Sequence, residues 1–104
     1  MIKIKVLCFL FSNAIFACFL AGETITPAII GNNMVLQQNH ENPIWGWDNP
    51  GQSVEVFISG QSHKGKTDKD GYWRIKLNAM KASFSPATMT IKGSSVLKFT
   101  NILV

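Results

Sequence analysis

Two short runs, Asn49-Pro50-Gly51 and Asp70-Gly71, restrict the fold of this chain more than any other feature of its sequence. In the first, proline pre-sets its own φ and glycine accepts a positive φ, the combination a type II turn requires. In the second, glycine takes the left-handed conformation at small steric cost, which makes the pair a hairpin signal. Each run is followed by residues that alternate with period two. After the first comes "SVEVFIS", where Val54, Val56 and Ile58 share one side and Glu55 and Phe57 the other, so one face is fully buried and one is mixed. After the second, Trp73, Ile75 and Leu77 alternate with Arg74 and Lys76, which places Trp73 in the core.

The remaining segments follow the same pattern. "ETITPAII", with its proline, reads as a first or edge strand, and "NNMVLQQ" as a short one. "IWGW" precedes the first turn. "AMKASFSPA" is a loop or a single helical turn, and "TMTIKG" and "SVLKFTNILV" are strands separated by Gly93-Ser94-Ser95. About seven short strands with frequent turn signals, and no helical period three turns long, predict an all-β fold, an immunoglobulin-like or jelly-roll-type β-sandwich.

The first stretch, "MIKIKVLCFLFSNAIFACFLAG", stands apart. Lys3 and Lys5 precede an apolar run from Val6 to Ala21 broken only by Ser12 and Asn13, the order of a helical secretory signal peptide. It is shorter than the roughly 18 to 20 apolar residues a spanning helix needs. The expected organisation is therefore a signal over residues 1–22 and one β-sandwich domain over 23–104, exported to the periplasm or the extracellular space. No membrane span remains after cleavage. Cys18, just after "IFA", is a candidate for lipidation, although the leucine expected at the start of such a motif is missing. Cys8 and Cys18 are the whole cysteine inventory, so the mature domain has no disulfide to form.

Without Lys3 and Lys5, eight basic residues face six acidic ones, a net charge of about +2 in place of +4. The basic residues are scattered along the chain and mostly alternate with apolar residues or sit in turns, so they read as solvated faces and not as a nucleic-acid surface. A domain of about 80 residues buries only about 60% of its unfolded surface. Without disulfides such a domain is marginal alone, which favours a module leaning on something larger.

Three local patterns suggest chemistry. "FISGQSHKG" places Ser62 between a glutamine and a histidine, but a nucleophile elbow needs glycines two residues to either side and a helix after it. Gly60 fits, Gly65 lies one residue too far, and no helix follows. His63, adjacent on an extended chain, points away from Ser62, and His40 has no evident partner. No catalytic residue is therefore assigned. "DKDG" at 68–71 resembles part of a calcium loop, but Lys66 and Leu77 stand where ligands belong. Two histidines without mature cysteines match no familiar zinc spacing, so neither a metal nor a cofactor is expected. Trp45 and Trp47 share a strand face, with Gly46 leaving the other face open to close approach. That tryptophan face reads first as sandwich core or contact with a neighbouring domain, and second as a platform for a sugar ring.

In order, "NNMVLQQ", "NPIWGWDNPGQSVEVFISGQ", "DKDGYWRIKLNAMKAS", "TMTIKG" and "NILV" resemble the N-terminal region of the sialate O-acetylesterase family, secreted carbohydrate esterases of the serine hydrolase type. The likeness runs from about Ile25 to the end. Its most specific parts are Met34-Val35-Leu36-Gln37, Trp45-Gly46, Pro50-Gly51 with the strand after it, and Asp70-Gly71 before Trp73. The loop "KASFSPATM" lacks the Gly-Gly-Pro usual there, and Gln38 replaces a common basic residue. The resemblance implies a β-sandwich leading into an SGNH-type hydrolase domain that removes O-acetyl groups from sialic acids or other acetylated sugars. It implies further that the nucleophilic serine lies in a G-Q-S-N-M element beyond Val104. The chain is then a non-catalytic fragment, truncated before its catalytic hydrolase domain, with that domain as partner. The alternative is an autonomous secreted carbohydrate-binding or structural module, with an acetylated glycan as ligand.

Overall fold

The structure, a computed structural model, describes residues 22–104. The segment read as a signal, with Cys18 in it, lies outside the described residues save for Gly22. Six strands follow: β1 (Pro43–Trp47), β2 (Ser53–Ile58), β3 (Gln61–Lys66), β4 (Tyr72–Lys76), β5 (Ala87–Lys92) and β6 (Val96–Ile102). No helix occurs among the described residues, and 77–86 is loop throughout. The strands form two antiparallel sheets, β1-β4 and β3-β2-β5-β6. The fold is all-β and sandwich-like, with six strands where about seven were expected. "ETITPAII" and "NNMVLQQ" each contribute only one bridge, Ile25 to Trp47 and Val35 to Leu103. The proline at 27 and the turns at 28–33 stop either segment from laddering further.

The core lies between the sheets. Val54, Val56 and Ile58 from β2 meet Met89 and Ile91 from β5, Ile44 from β1, Trp73 and Ile75 from β4, and Leu77. All are buried, and Trp73 is the largest of them. Burying one such side chain contributes roughly 1.5–3 kcal/mol. In β6, Leu97 and Phe99 pack against this core half-buried. Strict alternation would then turn Ile102 outward, but β6 carries one extra residue between Phe99, opposite Met89, and Ile102, opposite Ala87. Asn101 absorbs the slip at φ +57°, and Ile102 is fully buried.

The turns divide by function. Gln52 N–H donates to the Asn49 carbonyl at 3.0 Å with Gly51 at φ +83°, the geometry of a type II turn. Ser59 and Gly60, at φ +46° and +78°, form a two-residue hairpin loop between the paired Ile58 and Gln61. Gly71 takes φ +83°, and the Asp68 carboxylate accepts the N–H groups of Asp70 and Tyr72, both at 2.9 Å. This last turn is not a hairpin tip, because β3 and β4 belong to different sheets. It hands the chain from one layer to the other.

Candidate functional site

Ser62 lies on β3 beside the hairpin loop, opposite Phe57, and points outward with Lys64 and Lys66. His63 points the other way, as adjacent residues on a strand do. Its Nε2 sits 2.7 Å from Gln61 Oε1, which also accepts the Asn78 N–H at 2.8 Å. Gln61 thus ties β3 to the loop after β4, and Ser62 is left on the opposite face. Among the described residues no three His, Cys, Asp or Glu side chains converge as a metal site would require.

The tryptophan face, expected as sandwich core or as contact with a neighbouring domain, divides between its two residues: Trp45 packs half-buried against the core and Trp47 is exposed. Gly46 stands opposite Trp73 in the β1–β4 ladder, and both are buried. A Cβ at position 46 would lie 2.0 Å from the Ile25 carbonyl oxygen and 2.8 Å from the Trp73 ring. The fully buried side of β1 is therefore Ile44 and Gly46; on the other side Trp47 is exposed, while Trp45 is half-buried and packs against the core. Alternation along a strand says which residues share a side; here the room left by glycine, filled by a large indole, decides which side is inside.

On the outer side Ile25, Trp47 and Tyr72 are side by side, because Ile25 bridges Trp47 and Trp47 pairs with Tyr72. They are 47%, 43% and 37% exposed, high for three neighbouring large apolar groups. Trp45, opposite Arg74, lies next along β1, half-buried against the core, and Lys76 beyond it pairs with Glu41 at 3.7 Å in an exposed ion pair.

What fixes this row is a polar knot that no local pattern announced. Asp48, directly after β1, is buried. Its carboxylate accepts the Thr24 hydroxyl at 2.8 Å, the Asn49 N–H at 2.7 Å, the Ser94 N–H at 3.0 Å and the Ser94 hydroxyl. Thr24 and Ser95 add reciprocal bonds, Thr24 N–H to Ser95 Oγ at 2.9 Å and Ser95 N–H to Thr24 Oγ1 at 3.2 Å. Gly93 leaves the space that Asp48 Oδ2 occupies, 2.2 Å from where a Cβ would stand. Burial works to raise the Asp48 pKa, and the hydrogen bonds from Ser94, Thr24 and Asn49 outweigh it, holding the carboxyl below its ordinary value.

The turn residues singled out in the sequence meet at this same end. Asp48 N–H donates to the Gly71 carbonyl at 3.0 Å, and Gly51 N–H to the Thr67 carbonyl at 2.9 Å. Pro50 and Asp70 are exposed at the two turn tips. The arrangement sets an apolar row beside a polar knot, which suits it to packing or stacking.

A scan against protein-family models and a search of curated proteins returned no match. Among solved structures, a carbohydrate acetylesterase from Xanthomonas citri is similar, with 28% identity over 79% of this chain and a TM-score of 0.76. The match spans 19% of that enzyme's chain, so the likeness concerns a minor part of the longer protein. The fold of this chain is accordingly one related to carbohydrate esterases.

Proposed function

We propose that this chain is the non-catalytic β-domain of an exported carbohydrate esterase. The row Ile25–Trp47–Tyr72, with Trp45, is its contact with the catalytic hydrolase domain. The observation that carries the reading is this row: three large apolar side chains in register, part-exposed on the two-stranded face, in a fold related to carbohydrate esterases. Burying such a row against a second domain is favourable at about 25 cal/mol per Å², and it compensates for the thin core of a small domain.

The sequence resemblance narrows the chemistry to O-acetyl groups on sialic acids or other acetylated sugars. The serine nucleophile, the histidine base and the oxyanion donors belong to the hydrolase domain. Export would follow from the N-terminal segment, with Cys18 as an optional lipid anchor. A second reading has its own support. Trp47 and Tyr72 are adjacent on an exposed face, which equally forms a platform for the apolar side of a sugar ring.

The test uses a carbohydrate acetylesterase deleted of the segment that matches this chain. Adding the chain in trans is expected to raise its thermal stability and deacetylation, and Trp47→Ala to abolish the gain. The chain alone is expected to leave p-nitrophenyl acetate at its background rate. Turnover by the chain alone that disappears in Ser62→Ala would refute the reading. Protection of the tryptophans from iodide quenching by acetylated glycans, without any effect on the truncated esterase, would favour the platform.

A further inference from the structure

The outer face of the four-stranded sheet gathers lysines that are scattered in the sequence. Register pairs Glu55 with Lys64 on one side and Lys92 on the other, Ser53 with Lys66, and Thr90 with Lys98. Paired residues project to the same side of a sheet, and Val56, Met89 and Ile91 of these strands fill the core. Lys64, Lys66, Lys92 and Lys98 therefore share the outward face, all exposed, with Glu55 as the one acid among them on these strands. That concentrates on one face more positive charge than the roughly +2 of the whole mature chain.

The face also has shape. A shallow open depression of about 460 Å³ is lined by Phe57, Ser62, Thr88, Thr90 and the hairpin loop. The Lys92 ammonium lies 5.2 Å from the centre of the Phe57 ring, at the depression's side. Four hydroxyl side chains, Ser59, Ser62, Thr88 and Thr90, and flanking ammonium groups match a sugar that carries a carboxylate. The hydroxyls bond sugar hydroxyls, and the lysines, Lys92 above the Phe57 ring among them, pair with the carboxylates. A nucleic acid fits less well: these strands carry no arginine on this face, and the single aromatic ring is half-buried with an ammonium over it.

We propose that this lysine-rich sheet face is a binding site for an acidic, carboxylate-bearing polysaccharide, distinct from the Trp47–Tyr72 face. It rests on the carbohydrate reading of the fold but not on docking to a hydrolase domain. Its experiment is affinity electrophoresis and calorimetry of the chain with polygalacturonate, fully methyl-esterified polygalacturonate and an oligothymidylate of matched charge. Binding is expected to polygalacturonate alone among the three, weakening as salt rises. Lys64→Glu with Lys92→Glu is expected to lower affinity at least about tenfold, as reversing charges facing an anionic partner does. Lys69→Glu with Lys81→Glu, the same change of net charge away from this face, is expected to leave most of the affinity, and Trp47→Ala to leave all of it. Circular dichroism checks that each variant is folded. No binding, equal binding to the esterified polymer or the oligonucleotide, or equal losses from both lysine pairs would each overturn the site. Loss of the trans effect on the truncated esterase, with polygalacturonate binding intact, would instead count against the docking proposal.

Discussion

Gly46 and Trp73 face each other across the β1–β4 ladder, and the indole fills the space a side chain at 46 would need. Gly46→Ala must push either the ring or the Ile25 backbone, which lies nearer still. Overpacking of this kind costs about 1–3 kcal/mol, and the backbone contact places the expected loss at the upper end. Urea denaturation measures it. A variant as stable as the parent would show that the inward and outward sides of β1 have been assigned the wrong way round.

Asp48 makes stability depend on pH in a stated direction. Its folded-state pKa is depressed, so its contribution is fully present above the ordinary carboxylate value and is lost as pH falls through the lowered folded value. Asp48→Asn removes that titration and puts an amide where Ser94 and Thr24 donate, at an expected cost of about 2 kcal/mol at neutral pH. The gap between parent and variant in urea midpoint should narrow as pH is lowered from 7 through 4 and below. A gap that stays constant would mean the carboxylate does not hold the knot.

Trp47→Ala and Tyr72→Ala remove side chains that are substantially exposed, so each should change the stability of the isolated domain by less than about 1 kcal/mol. The same variants should abolish the trans effect on a truncated esterase. A large loss of intrinsic stability from Trp47→Ala, read from its thermal midpoint, would return that side chain to the core.

Ser59 occupies the first position of the β2–β3 loop at φ +46°, a conformation that costs an L-residue roughly 1–2 kcal/mol. Asparagine tolerates it better and precedes glycine in the favoured type I′ loop. Ser59→Asn should therefore stabilise by about 0.5–1 kcal/mol, or roughly 3–6 °C in Tm for a domain of this size. A fall in Tm would indicate that the serine side chain has a role of its own.

How far the sequence could be read follows from the reach of each signal. Val54, Val56 and Ile58, and Trp73, Ile75 and Leu77, are legible because period-two alternation is a local property of one strand. The Pro50-Gly51 turn is legible for the same reason. The exposure of Trp47 was not, since that depends on Trp73 arriving from β4. Ile102 is buried through an extra residue in β6, and a bulge has no compositional mark when asparagine supplies it. The knot around Asp48 joins Thr24 and Ser94, 24 and 46 positions away, and the lysine face needs the strand order β3-β2-β5-β6. Neither can be found by looking along a window.

The pairing of Thr24 with Ser95 bears on how the chain folds in time. Their mutual bonds span 71 positions, nearly the whole domain. Closing so long a loop costs entropy that no neighbouring contact repays early, so the first described residues wait for the last hairpin. Folding should be slow, on the millisecond-to-second scale typical of non-local β topologies. In a chain exported as proposed, that delay would be useful: the leading segment would stay pliable while the chain is threaded and fasten once the β5–β6 turn has emerged.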